Sequence, residues 1–174
     1  MIKYIVFDRD GTLIRHIPYL HNPSEVELLP FVKQTIIKLI EKNYKLFLHT
    51  NQSGIARGMF KHSDAEKCNE KLISLLGSNV FENICISKDL NHSNINYRKP
   101  SPKFGLEILA KYKINPNLLT YIGDSLSDMD TAKNIDCNFI GLNTGLIKFK
   151  NKFYEGKNFS YQILDNFSDI LKII

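Results

Sequence analysis

Short apolar runs rich in β-formers recur along this chain. Each but the last is followed by a polar cluster and then by apolar residues at helical spacing. Residues 3–7, 45–49, 80–86, 118–122 and 137–141 are the strand runs. Between them, Pro30 opens a helix carrying Val32, Ile36, Leu39 and Ile40 to a stop at Asn43. Ser63 and Glu66 form a capping-box pattern before Ala65, Cys68, Leu72 and Leu75. Ser101 and Pro102 suit the N-cap and first position of a helix burying Ile108, Leu109 and Tyr112. A fourth helix carries Met129, Ala132 and Ile135. Residues 13–29, interrupted by Pro18 and Pro23, and the polar stretch 88–97 are expected to be loops. Residues 161–163 are expected to form an edge strand and residues 167–174 a closing helix. Strand and helix thus alternate at βα spacing. The predicted fold class is α/β, with a mainly parallel sheet, helices on both faces and one domain over residues 1–174.

In such sheets ligands bind beyond the carboxyl ends of the strands. Residues 8–12, 50–54 and 123–128 lie at those ends, so these distant segments are predicted to converge. Asp8 and Asp10 flank one bulky residue. Two carboxylates about 4 Å apart repel by roughly 4 kcal/mol at an effective dielectric near 20. A divalent cation with hard oxygen ligands offsets this, and Asp124 supplies a third carboxylate. The same aspartates also suit plain turns, and Asp128 suits a capping box with Ser125. Thr50, Asn51, Ser53 and Gly54 offer donors for phosphate oxygens or an ordinary loop. Arg98 and Lys99 place two cations before a helix, where they either neutralise a phosphoryl group or lie on the surface.

Composition narrows the classes. The charge of +5 comes from scattered lysines without a basic run, so binding to nucleic acid is not expected. Three widely spaced cysteines do not make a disulfide framework. No apolar stretch reaches membrane-spanning length, and residues 1–7 do not resemble a signal peptide. A monomeric, cytoplasmic protein is expected. His49, inside a strand run, is expected in the core, and His16 and His21 in an exposed loop.

Together the segments resemble the haloacid dehalogenase-like (HAD) superfamily, whose four motifs occur here in order. They are Asp8-Arg9-Asp10-Gly11-Thr12, Thr50-Asn51, Lys99, and the run from Gly123-Asp124 to Asp128. The segments at 50–58 and 98–102 are similar to those of D-glycero-D-manno-heptose 1,7-bisphosphate phosphatases, and histidinol-phosphate phosphatases share much of the pattern. The resemblance implies a single Rossmann-like domain without a large cap, specificity residing in loops 14–29, 55–61 and 88–98. It implies Asp8 as nucleophile, Asp10 as acid and base, and Mg²⁺ held by Asp8, the Asp10 carbonyl and Asp124. Thr50, Asn51 and Lys99 would bind phosphate, and Arg57 and Arg98 the rest of a phosphorylated sugar. Ser125 and Asp128 would support them. Many subgroup members bind zinc in the loop before the Arg-Lys-Pro segment. Here Ile95-Asn96-Tyr97 replaces the Cys-x-Cys expected there, so zinc is not expected. Removal of the 7-phosphate from heptose 1,7-bisphosphate is the expected activity. Histidinol-phosphate hydrolysis and 3′-phosphate removal from nucleic-acid ends are the alternatives.

Overall fold

The computed structural model describes residues 3–77, 80–91, 96–146, 148–149, 153–155 and 160–174. Strands β1 (Lys3–Phe7), β2 (Tyr44–Asn51), β3 (Asn83–Ser87), β4 (Leu119–Gly123), β5 (Asn138–Leu142), β6 (Phe153–Glu155) and β7 (Ser160–Leu164) form one sheet in the order β3-β2-β1-β4-β5-β7-β6. All neighbouring pairs are parallel except β6 with β7.

Side chains of period two divide the core between the faces of the sheet. Ile5 and Phe7 of β1, with Leu46 and Leu48 of β2, meet helices α1 (Val32–Glu41) and α2 (His62–Leu76) and the terminal 3₁₀ helix Phe167–Lys172. Tyr4, Val6 and Phe47 point the other way, onto α3 (Lys103–Tyr112) and α4 (Leu126–Ile135). This is the α/β fold expected, with both faces covered. Residues 8–31, between β1 and α1, hold one short 3₁₀ turn at Pro23–Glu25 and no inserted domain. Among the described residues no helix is long and apolar enough to cross a membrane.

Several local expectations are corrected. Residues 161–163 are not at the edge, because β7 is flanked by β5 and by the antiparallel β6. The closing segment is a 3₁₀ helix, whose three-residue turn places Phe167 and Ile170 one above the other in the core. Helix α2 starts at His62, and the Asp64 carboxylate accepts the Lys61 N–H at 2.9 Å. The reciprocal partner is thus Asp64, while Glu66 faces His62 one turn away. Helix α3 starts one residue later than expected, with Ser101 Oγ accepting the Lys103 N–H. Ile40 is largely exposed, and Asn43 ends α1 with a left-handed φ of 64°.

Candidate active site

β1 and β4 are neighbours, with β2 and β3 on one side and β5 on the other. Their carboxyl ends therefore lie where the connections diverge to opposite sides of the sheet. The ladder runs one residue past β1, the Asp8 N–H donating to Ile122 O at 2.9 Å. That bond brings Asp8 beside Asp124, which follows β4. The turn after Asp8 closes on Arg9 O, which accepts the N–H groups of Thr12, Leu13 and Ile14. It needs Gly11 twice over. The φ is +83°, and a Cβ there would stand 2.4 Å from Asp124 Oδ2.

Lys99, 3% exposed, is the central cation. Its Nζ lies 2.7 Å from Asp8 Oδ1 and 2.5 Å from Asp128 Oδ1. Burial, the largest influence, lowers its pKa, but the charges of Asp128 and Asp8 together outweigh it and the net shift is upward. The lysine is held from behind by Asn51. That side chain accepts the Lys99 N–H at 3.0 Å and donates to the Lys99 carbonyl at 3.2 Å. Asn51, a predicted phosphate ligand, thus spends its amide on positioning the lysine.

Asp128 takes both roles the sequence left open. Its Oδ2 accepts the Ser125 N–H and hydroxyl at 3.2 and 2.5 Å, and its Oδ1 faces Lys99. Gly123 permits this fold-back, since a Cβ there would meet Asp128 Cγ at 2.3 Å. Burial, followed by the Asp8 charge, raises the Asp128 pKa against the opposing pull of Lys99.

Ligand atoms of Asp8, Asp124 and Asp128 lie within 4.8 Å of one another. Asp128 already accepts three hydrogen bonds on its two oxygens, so Asp8 and Asp124 keep more of their lone pairs free. Asp124 receives only a long bond from Thr12 Oγ1, 3.3 Å, among the described side chains. Burial first, then the charges of Asp8 and Asp128, push the Asp124 carboxyl up to about 8. A hard divalent cation between Asp8 and Asp124 relieves that repulsion, so the residues present fit such an ion.

The carboxylate of Asp10 stands outside this group. It accepts Arg9 Nε at 3.0 Å, Arg9 Nη2 at 3.3 Å, Gln52 Nε2 at 3.1 Å and Thr50 Oγ1 at 3.4 Å. A cavity of about 390 Å³ opens above these groups, with Asp8, Asp10, Thr50, Lys99 and Asp124 at its base. Loop residues His16 and Tyr19 line it with Phe60, which lies over Gly54 and stacks on His21. Arg57 is exposed, and Arg98 donates to the Asp89 carbonyl at 3.2 Å; neither lines the cavity. His49 is in the core as expected. Its Nε2 lies 2.7 Å from the Tyr97 carbonyl and so carries the hydrogen. Burial and the Lys99 charge lower its pKa to about 3. Of the zinc-loop positions, His92 and Ile95 lie outside the described residues. Cys85 is in β3, its thiol pushed up to about 12 by burial.

Sequence reasoning missed Arg9, Gln52 and the loop after β5. There Thr144 Oγ1 donates to Gly11 O at 2.6 Å, and a Cβ on Gly145 would stand 1.6 Å from Asp124 Oδ2. The strand-end rule itself pointed to that loop, which follows directly on a predicted strand.

A family model described as haloacid dehalogenase-like hydrolase matches residues 12–142. The D-glycero-beta-D-manno-heptose-1,7-bisphosphate 7-phosphatase of Pasteurella multocida is 29% identical, over 100% of this chain and 97% of its own length. The D-glycero-alpha-D-manno-heptose-1,7-bisphosphate 7-phosphatase of Campylobacter jejuni is 28% identical over 77% of this chain and 78% of its own. The fold is similar to the crystal structure of a D,D-heptose 1,7-bisphosphate phosphatase from B. bronchiseptica complexed with magnesium and phosphate. The TM-score is 0.82 at 24% identity, covering 98% of this chain and 97% of that one. The chain belongs to the haloacid dehalogenase-like hydrolase family.

Proposed function

We propose that this protein is a Mg²⁺-dependent phosphatase acting on a phosphorylated sugar, with the 7-phosphate of D-glycero-D-manno-heptose 1,7-bisphosphate as the group removed. The observation carrying this reading is the meeting of Asp8, Asp124 and Lys99 at the base of one open cavity. The names of the relatives support the sugar.

Lys99 holds one oxygen of Asp8, and the other attacks phosphorus in line with the leaving oxygen. The bond to the sugar oxygen breaks, and Asp10 donates a proton to that oxygen. Water then attacks the phosphoryl group on Asp8 while Asp10 accepts its proton. Inorganic phosphate leaves and Asp8 is restored. Lys99 and the Thr50 hydroxyl offset charge on the equatorial oxygens. Asp8, Asp124 and the carbonyl of Asp10 would hold Mg²⁺, which supplies further neutralisation of phosphoryl charge. Tyr19, Phe60 and His16 form the wall the sugar meets.

The test is phosphate release over a panel of both heptose bisphosphate anomers, histidinol phosphate and a 3′-phosphorylated DNA end. Turnover of a heptose bisphosphate that needs Mg²⁺ and falls at least about 10³-fold in Asp8→Asn is expected. Because the relatives' names differ in anomer, the panel also decides that preference. A clear preference for histidinol phosphate would overturn the substrate. Full activity of Asp8→Asn would overturn the mechanism.

A further inference from the structure

Arg9 stands between two reacting aspartates, has 0% exposure and takes no part in the steps above. Its guanidinium forks onto both oxygens of Asp10, Nε to Oδ2 at 3.0 Å and Nη2 to Oδ1 at 3.3 Å. The remaining edge is tied to α2, Nη1 donating to Asn69 Oδ1 at 2.9 Å. Asn69 is 3% exposed, and its Nδ2 is buried with no hydrogen-bond partner among the described residues. Burying a guanidinium and an unpaired amide donor is costly, and buried ionic groups are often matched in stability by apolar groups of the same volume when the whole set is replaced. Stability alone therefore does not account for the arrangement. What it supplies is orientation. A planar fork fixes the plane of the Asp10 carboxylate, which a point charge would leave free to turn, and the anchor on α2 fixes the fork.

We infer that Arg9, held by Asn69, is a positioning residue that sets the Asp10 carboxyl in line with the leaving oxygen for proton transfer. The inference rests on the phosphatase reading. A loss of proton donation damages substrates according to their leaving group. A sugar alkoxide needs the proton in the transition state, whereas an aryl oxide such as p-nitrophenolate leaves nearly unaided. kcat/KM covers the first irreversible step, transfer to Asp8, and so isolates donation from the later attack of water.

The experiment measures kcat/KM with Mg²⁺ for the turned-over sugar phosphate and for p-nitrophenyl phosphate in wild type, Asn69→Leu, Asn69→Asp and Arg9→Lys, with melting temperatures alongside. Asn69→Leu removes the anchor and the orphan amide donor but leaves the buried Arg9 Nη1 without its acceptor, so it is expected to stay folded with a lowered melting temperature. Its kcat/KM is expected to fall about tenfold or more on the sugar phosphate and less than about threefold on the aryl ester. Arg9→Lys, which loses the fork, shows the same discrimination. Asn69→Asp keeps an acceptor for Arg9 and retains most activity on both. Equal losses on the two substrates in the folded variants, or no loss on either, would overturn the inference. A wild-type protein that releases phosphate from neither ester would instead overturn the phosphatase reading, and this inference with it.

Discussion

The carboxylate of Asp124 lies against two glycines that arrive from different loops, Gly11 after β1 and Gly145 after β5. Each lets backbone approach where a side chain would force the carboxylate aside. Gly145→Ala is therefore expected to leave the fold intact by circular dichroism. It should raise the Mg²⁺ concentration for half-maximal turnover by about tenfold or more, as displacing a group that orients a metal ligand does. Unchanged Mg²⁺ dependence would refute the placement of Asp124 in the metal site. The acids themselves were legible because Asp8, Asp10 and Asp124 fall together at predicted strand ends, although each alone also suits a turn. Gly145 was not, since a glycine after a strand usually marks only a turn. Arg9 was missed for a related reason. An arginine between two aspartates in a turn suggests solvated charge, and only the packing of α2 over it reveals a buried fork. Arg57 and Arg98 show the reverse, since charge suited to phosphate says nothing of whether the side chain reaches the cavity.

Helix α4 shows how a single element serves both stability and the site. Ser125 caps it, and the third residue of its first turn, Asp128, reaches back to the cap while facing Lys99. Ser125→Ala removes the short bond to Asp128 and is expected to cost about 1 kcal/mol. For a domain of this size that lowers the melting temperature by roughly 2–4 °C, readable by thermal denaturation. An unchanged midpoint would show that the cap carries no stability. The Ser-x-x-Asp pattern at 125–128 was visible in the sequence because its four residues act locally. Ser63 and Glu66 present a similar pattern, yet α2 begins two residues earlier than it implies and Asp64 is the residue that reaches back. A cap is decided by where the helix must start to bury Cys68 and Leu72, which local pattern does not encode. The same holds for β7. The Gln162 between Tyr161 and Ile163 suggests an edge, but β6 pairs outside it.

Across the whole molecule, two buried groups with oppositely shifted pKa values make stability depend on pH and on metal together. His49 sits in the α3–α4 layer against Phe104 and Tyr121, its pKa lowered to about 3. Below pH ~6.5 the unfolded chain binds a proton there that the folded chain refuses, so the contribution of His49 to stability is lost as pH falls from about 6.5 towards 3. Asp124 acts in the other sense. Its raised carboxyl binds a proton better in the fold than in the unfolded chain. The metal-free protein therefore loses stability as pH rises from about 4 towards 8. Over pH 4–6 the two trends oppose each other, so a bare pH profile of the wild type is uninformative. The comparison that separates them uses His49→Gln, which keeps a donor for the Tyr97 carbonyl but does not titrate. The stability difference between wild type and this variant is expected to move by about 2 kcal/mol against the wild type from pH 6 to pH 4, by urea denaturation. A constant difference would mean that His49 takes up its proton in the fold. Cation binding competes with the proton on Asp124, so Mg²⁺ is expected to raise the melting temperature more at pH 8 than at pH 6. Equal Mg²⁺ stabilisation at the two pH values would mean that the buried carboxylates titrate independently of the ion, and that the strand tips of β1 and β4 do not meet around it.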